Sequence, residues 1–338
     1  ALYVRNHAPV PDVAWPADEV SRASHVQQHE VLFEAVEGSA EGGPVEEDAT
    51  MTISQLQTRF GTTTVTSILQ CAGNRASEDI AATGASGFTG TPFEAITQGM
   101  VGNAQWTGVR LADVLPALYP KECAATKKHG GGEWHVVFEG ADGYSASSPL
   151  ARVLSHEHDC LLATHMNGEL LSPDHGYPLR ALLPGIAGAR NVKWLQSISL
   201  QRHPVDAPWN DYYYKNAKAE QIQDLKLQSL ILLHEGSRSS ENHGKAKVHV
   251  GGVAYSGGTG NAIARVEVSA DGGKCWSEAT LQASEVVADG SHKSFGWVRW
   301  VANLEVEVSS GAVAVDVCCR ATDTAGTTQS EKPAKERG

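Results

Sequence analysis

The sequence predicts a two-domain α+β protein in which a mixed domain of helices and strands precedes an all-β sandwich. Its 338 residues exceed one ordinary domain, since domains average about 150 residues. The first part mixes helical and strand patterns, whereas the part after about Pro208 has short alternating segments separated by glycine. We therefore place the two domains at residues 1–214 and 215–338.

Composition and charge exclude several classes of function. The chain is 41% hydrophobic and 20% charged, as ordinary globular proteins are. A net charge of −12 argues against nucleic-acid binding, because phosphate binding needs clustered lysine and arginine. There is no apolar run of about 18 residues, so we expect no membrane association. The six cysteines include no C-x-x-C pair, which argues against a zinc ribbon.

In the first domain, a cysteine is predicted at the end of a strand. Ser54 and Gln57 fit a capping box for a short helix that Gly61 would end. Residues 62–70 are rich in β-branched side chains and predict a strand. This strand runs directly into Cys71 and the small residues Ala-Gly-Asn, which suit a turn.

The second domain has the pattern of half-buried strands. Residues 247–255, 264–269 and 312–321 each alternate apolar and polar side chains. The turn sequences Ser-Gly-Gly and Asp-Gly-Gly separate them at the spacing of an all-β sandwich.

Three segments, at residues 5–7, 71–75 and 174–180, are unusually dense in polar and flexible residues. Each is ambiguous alone, because a single cysteine is most often an inert buried residue. An arginine and a histidine in loops at strand ends fit an anion such as phosphate, since a guanidinium matches phosphate oxygens.

Taken together, these segments resemble the sulfite oxidase family over nearly the whole chain. Residues 5–11 resemble its R-N-H-x-P-V-P opening, and residues 71–75 match its C-A-G-N-R metal loop. Residues 172–180 resemble its D-H-G-[FY]-P-[VL]-R segment, and residues 188–194, Gly-Ala-Arg-Asn-Val-Lys-Trp, follow in register. Residues 209–215 resemble the segment that ends in D-Y-K.

The resemblance implies a molybdopterin cofactor whose molybdenum is bound by the Cys71 thiolate. Thiolate is a soft ligand that suits a sulfur-rich metal centre. Matching positions also imply a cofactor pocket, formed by Tyr3, Val4, Arg5, Asn6, His7, Cys71, Asp142, His175, Arg180, Asn191, Val192 and Lys193.

The implied reaction is oxidation of sulfite to sulfate by oxygen atom transfer. The resemblance points to Arg5 and Tyr214 as the residues that hold the sulfite dianion, through a guanidinium and a phenol. Tyr212 and Tyr213 are alternatives for the phenol, and Lys215 after Tyr214 favours Tyr214.

Two departures from the family pattern concern the anion pocket. The family usually has two arginines after C-A-G-N, whereas here Ala76 follows Arg75. A further arginine, in a W-N-L-R-G segment near the family's C-terminus, has no counterpart before Gly338. The second domain is therefore expected to be C-terminally incomplete, or else the anion pocket is altered.

The resemblance further implies an immunoglobulin-like second domain that forms a homodimer. The oxidation of sulfite that the resemblance implies requires an external electron acceptor, either cytochrome c or dioxygen. The resemblance leaves three possible cellular compartments for the protein, namely the mitochondrial intermembrane space, the peroxisome and the periplasm.

Two other functions remain as alternatives. The first is the molybdenum fragment of an assimilatory nitrate reductase, which would also use Cys71. The second, from another class, is a cofactor-free binding protein built on the β sandwich.

Overall fold

The computed structural model describes ten stretches of the chain, namely residues 10–12, 14–36, 49–78, 98–128, 134–212, 214–215, 220–238, 245–282, 293–307 and 315–330. Contacts divide the chain into two compact units, the first reaching Gln223 and the second beginning at Asp224.

The first unit contains helices and two sheets. Its described helices are α1 (Glu19–Gln28), α2 (Ile53–Phe60), α3 (Leu111–Leu118), α4 (Pro120–Lys128), α5 (Leu150–Val153) and α6 (Pro208–Tyr212). Its described strands are β1 (Glu30–Phe33), β2 (Ala49–Thr52), β3 (Thr63–Gln70), β4 (Val101–Arg110), β5 (His135–Gly140), β6 (Ser145–Pro149), β7 (Leu161–Met166), β8 (Glu169–Leu170), β9 (Arg180–Leu182) and β10 (Leu195–Gln201).

Both sheets of the first unit contribute to one core. One sheet has the order β2-β1-β10-β5-β6, with β1 and β10 parallel, and the other has the order β3-β4-β7-β8 with β9 paired to β7. Phe33, Phe138 and Ile198 from the first sheet belong to the same buried cluster as Trp106 and Leu162 from the second. Burial of this apolar surface is the main stabilising contribution to such a domain.

The capping box of helix α2 begins two residues before the predicted one. Thr52 Oγ1 accepts a hydrogen bond from Gln55 N at 3.1 Å, and Gln55 Oε1 accepts one from Thr52 N at 2.8 Å. The box predicted at Ser54 and Gln57 was therefore wrong, because the chain leaves β2 directly into the helix at Thr52. The predicted helix end at Gly61 is confirmed, with φ of +74°.

The strand predicted before Cys71 is confirmed as β3. It pairs antiparallel with β4 along its whole length, ending with Gln70 opposite Val101. β3 is thereby held to β4 up to its last residue, so the position of the next residue, Cys71, is set by the sheet.

The second unit is the predicted all-β sandwich. Its described strands are β11 (Gln228–Arg238), β12 (Lys245–Tyr255), β13 (Ile263–Ser269), β14 (Ser277–Glu278), β15 (Thr280–Leu281), β16 (Val298–Glu307) and β17 (Cys318–Asp323). They form two antiparallel sheets, β11-β12-β16-β15 and β14-β13-β17. Val250, Trp300 and Leu304 of one sheet share a buried cluster with Val266 and Val268 of the other.

The residues after Tyr214 belong to the first unit. Lys215 forms a β-bridge with Gln221, and Gln223 O accepts a hydrogen bond from Ala187 N at 2.8 Å. The division of contacts thus lies after Gln223, whereas the sequence placed the domain boundary after residue 214.

In the described part of the chain, every helix is too short or too polar to cross a lipid bilayer.

Gly108 provides a test of the close packing between β4 and β7. A Cβ at this position would lie 2.0 Å from Leu162 O and 2.7 Å from Ala163 Cα, both of which are backbone atoms. We expect Gly108→Ala to lower the free energy of unfolding of the first unit by about 2 kcal/mol, as overpacking typically does. Urea denaturation followed by circular dichroism measures this loss.

The matched control is Gly99→Ala, because a Cβ at Gly99 has no atom within 4 Å among the described residues. Equal stability of the two variants would contradict the packing at Gly108.

Candidate active site

Cys71 lies immediately beyond β3, in a turn held by hydrogen bonds to Met100. Cys71 N donates to Met100 O at 3.0 Å, and Asn74 N donates to Cys71 O at 3.0 Å. Asn74 is fully buried, and its Oδ1 accepts a hydrogen bond from Met100 N at 3.0 Å. The turn is thus fixed on both sides, and it presents a half-buried cysteine at the strand end.

Asn74 also carries an unsatisfied donor beside Cys71. Its Nδ2 is buried and has no hydrogen-bond partner among the described residues. A buried amide without a partner is costly, so such a group commonly marks a place where another molecule binds.

The two residues after the turn differ in their surroundings. Arg75 has φ of +67° and contacts the Glu78 carboxylate through Nη2 and, at 2.9 Å, through Nε. Ala76, where the family has a second arginine, is buried. The cation nearest to Cys71 in sequence is therefore already engaged by a carboxylate.

A 3-10 turn at Gly188–Arg190 lies against the Cys71 backbone. A Cβ on Gly188 would lie 2.9 Å from Gln70 O and 3.6 Å from Cys71 N. A glycine is needed here because any larger residue would push this turn away from the end of β3.

Arg180 is buried among backbone carbonyls of the two loops that the sequence singled out. Its Nη1 donates to His175 O at 2.9 Å, and its Nη2 donates to Asn191 O at 3.0 Å. The Arg180 guanidinium carbon lies 5.2 Å from the centre of the Trp106 ring. Burial lowers the pKa of Arg180 to about 10.

Lys193 lies beside Arg180, with Gly176 packed against both side chains. A Cβ on Gly176 would lie 3.0 Å from Lys193 Cβ and 3.2 Å from Arg180 Cβ. Lys193 Nζ donates to Asp174 O at 3.0 Å. Burial, together with the positive charge of Arg180, lowers the pKa of Lys193 to about 8.

Asp142 faces the same cluster from the β5–β6 connection. Its Oδ1 accepts a hydrogen bond from Tyr144 N at 3.1 Å and would lie 2.8 Å from a Cβ on Gly140. That Cβ would also lie 2.5 Å from Lys193 O. The negative charge of Asp142 opposes the fall in the pKa of Lys193, although burial and Arg180 outweigh it.

The side chain of Asn191 is hydrogen-bonded to backbone groups and supports the cluster. Its Oδ1 accepts a hydrogen bond from Leu183 N at 2.6 Å, and its Nδ2 donates to Ala187 O at 3.1 Å. Val192 follows it and is buried. These contacts hold the loop from which Lys193 extends.

Tyr214 is 4% exposed and is held by its backbone. Its carbonyl oxygen accepts hydrogen bonds from Ile222 N at 2.8 Å and from Arg190 Nη2 at 3.3 Å. The alternatives, Tyr212 and Tyr213, have side chains outside the described part of the chain.

Five of the predicted cofactor-binding residues therefore form one connected cluster, namely Asp142, His175, Arg180, Asn191 and Lys193. Tyr3, Val4, Arg5, Asn6 and His7 lie outside the described residues. Four further residues stand out only in the structure, namely Asn74, Gly188, Arg190 and Asn210. Gly188 and Arg190 lie in residues 188–194, which resemble the family's sequence, and this resemblance could have pointed to them.

The residues present fit molybdopterin. In the part of the chain that the structure describes, no three His, Cys, Asp or Glu side chains are grouped to hold a metal. A metal at Cys71 would therefore need further ligands from a cofactor, and a dithiolene supplies them. Two desolvated cations, Arg180 and Lys193, suit the phosphate of a pterin, and the Asn74 amide supplies an unused donor.

Known proteins match both units. Residues 39–209 match the oxidoreductase molybdopterin binding domain, and residues 219–336 match the Mo-co oxidoreductase dimerisation domain. Mitochondrial sulfite oxidase of Drosophila melanogaster is 35% identical over 353 residues, covering 98% of this chain and 54% of the relative. An NADH nitrate reductase of Ulva prolifera is 30% identical over 358 residues, covering 97% of this chain and 37% of the relative.

A solved structure is also similar. The sulfane dehydrogenase SoxCD from Paracoccus pantotrophus superimposes with a TM-score of 0.64 at 27% identity, covering 91% of this chain and 70% of that one. The chain spans about half the length of the first curated relatives that it matches. With both family matches and the Cys71 turn in place, the chain belongs to the sulfite oxidase family of molybdenum oxidoreductases, which bind molybdopterin.

Proposed function

We propose that this protein oxidises sulfite to sulfate, with the Cys71 thiolate as the protein's ligand to molybdenum. The observation that carries the proposal is the half-buried Cys71, fixed at the end of β3 and backed by the Gly188–Arg190 turn. Bound molybdopterin would supply the redox centre at which oxygen atom transfer takes place.

The Cys71 turn provides a rigid ligand. Both the amide and the carbonyl of Cys71 are hydrogen-bonded within the turn or to Met100, so the backbone from which the thiol extends is held in place. A ligand held in this way loses little conformational freedom when the metal binds, which favours affinity. Coordination also removes the thiol proton, because the metal stabilises the thiolate.

Arg180 and Lys193 would bind the anionic end of the pterin. Both have a lowered pKa because of burial, which is nearly complete for Arg180 and partial for Lys193. An anion placed between them would be attracted strongly, since charges interact more strongly where water is excluded. His175 and Asp142 flank the same cluster and would add hydrogen bonds to the pterin.

Sulfite would be held by Arg5 and Tyr214. A guanidinium and a phenol both donate to oxyanions, and the carbonyl of Tyr214 is anchored to Arg190. Ala76 removes one cation that the family pattern supplies, so sulfite affinity is expected to be lower than with two arginines.

The second unit would form a homodimer, as the name of the matching dimerisation domain suggests. Electrons would pass to an external acceptor, either cytochrome c or dioxygen.

Nitrate reduction is the alternative function, because an NADH nitrate reductase of Ulva prolifera is similar in sequence over 97% of this chain. Both reactions would use Cys71 and the Arg180–Lys193 cluster.

Removal of the thiolate tests the metal site. We expect Cys71→Ser to fold with unchanged circular dichroism, because serine keeps the backbone hydrogen bonds of the turn. Changes to supporting residues of metal sites cost about 10- to 100-fold, so sulfite turnover should fall more than about 100-fold when a ligand is lost. Cys275→Ser, at an exposed cysteine of the second unit, is the control and should retain full turnover.

The choice of substrate is tested with purified, molybdenum-loaded protein. We expect steady-state oxidation of sulfite with ferricyanide as acceptor, and slower or undetectable reduction of nitrate with reduced viologen dye. Reduction of nitrate without oxidation of sulfite would contradict the proposal and favour the alternative.

The pH dependence of stability tests the environment of Lys193. In cofactor-free protein, its pKa of about 8 lies below the ordinary value of 10.5. As the pH rises, the folded protein releases this proton at a lower pH than the unfolded protein does. The free energy of unfolding therefore rises between pH 8 and pH 10.5. The lysine is partly solvated, so we expect a rise of only about 1 kcal/mol.

Lys193→Met should remove this rise in urea denaturation curves recorded across that pH range. Lys121→Met changes an exposed lysine on α4 and should preserve it. If the free energy of unfolding changed with pH in the same way for wild type and Lys193→Met, the lowered pKa of Lys193 would be contradicted.

A further inference from the structure

Arg190 is a fully buried cation that the proposed reaction does not itself use. Its side chain is 0% exposed, and burial lowers its pKa. Among the described residues, no carboxylate lies within ion-pair distance of it. Burying an unpaired guanidinium costs several kcal/mol even after relaxation, so the contacts that Arg190 makes must compensate for this.

Among the described residues, its side-chain hydrogen bonds all go to the segment that carries Tyr214. Nε donates to Ile222 O at 2.9 Å, Nη1 donates to Asn210 Oδ1, and Nη2 donates to Tyr214 O at 3.3 Å. The guanidinium carbon also lies 5.9 Å from the centre of the Tyr214 ring. One planar guanidinium therefore connects Asn210 of α6 with the carbonyl groups of Tyr214 and Ile222.

The other side of Arg190 is joined to Cys71. Arg190 ends the 3-10 turn whose first residue, Gly188, lies so close to the Gln70 carbonyl that a Cβ would not fit, with Cys71 N next to it. Tyr144 Oη also donates to Ala189 O at 2.9 Å and holds the middle of this turn. The distance from the Cys71 backbone to Arg190 is thus fixed by a short, tightly packed turn.

We propose that Arg190 is a positioning residue that sets the place of Tyr214 relative to Cys71. This inference rests on the proposed role of Tyr214 in holding the anionic substrate. An apolar residue could fill the same space without the cost of a buried charge, but it could not hold three acceptors in one plane.

Lysine should not replace Arg190. Its ammonium is a single point charge, whereas the guanidinium reaches Ile222 O, Asn210 Oδ1 and Tyr214 O from three separate nitrogens. Arg190→Lys keeps the charge and loses the geometry, so it separates positioning from simple electrostatic attraction.

The test is a double-mutant cycle of Arg190→Lys and Tyr214→Phe, with sulfite kinetics expressed per bound molybdenum. We expect Arg190→Lys to raise KM for sulfite about tenfold with a much smaller change in kcat, because about one hydrogen bond to the substrate is weakened. If Arg190 acts through Tyr214, the double variant should resemble Tyr214→Phe alone.

Several outcomes would overturn the inference. Additive losses in the double variant, or a fall in molybdenum content with unchanged KM, would mean that Arg190 only stabilises the fold. If Arg190→Lys does not fold, Asn210→Ala removes one acceptor and leaves Arg190 in place. An unchanged KM in that variant would overturn the inference as well.

Arg110→Lys is the matched control, since it alters an arginine that pairs with Asp159 at 2.7 Å elsewhere in the first unit. Its KM should equal that of the wild type. If Tyr214→Phe alone leaves sulfite kinetics unchanged, the proposed role of Tyr214 is wrong. An impaired Tyr214→Phe with additive losses rejects only the role of Arg190.

Discussion

The hydrogen bonds between the Cys71 turn and Met100 are the contacts on which the rest of the site depends. The pairing of β3 with β4 ends at Gln70 and Val101, and the chain would be free beyond that point. Cys71 N and the Asn74 side chain instead continue the attachment on both sides of Met100. The residue at the strand end, Cys71, is thereby held in a fixed position.

The buried cations of the first unit divide into two kinds. Arg180 and Lys193 lie side by side, and each has a lowered pKa, so this pair favours an added anion. Arg190 instead donates to neutral oxygens of one segment, which makes it suited to holding geometry. Both kinds occur in a chain of net charge −12, so the positive potential is local to the site.

Local sequence patterns correctly predicted those helix and strand boundaries that depend only on residues adjacent in sequence. The strand before Cys71 followed from β-branched residues, and the end of α2 followed from Gly61, whose φ is positive. The capping box was misplaced because Ser54 and Thr52 are equally good candidates in sequence. Their choice depends on where β2 ends, which is set by its pairing with β1.

The sequence by itself determined the family and the α+β and all-β organisation, and it predicted the residues of the proposed cofactor pocket, because short motifs and periodic patterns are local properties. Only the tertiary structure decided that Gly188 abuts Cys71 and that Arg190 binds Tyr214, Asn210 and Ile222. Such contacts join residues far apart in the chain. They arise from the packing of buried groups, which pairs most hydrogen-bonding atoms with one another once water is excluded.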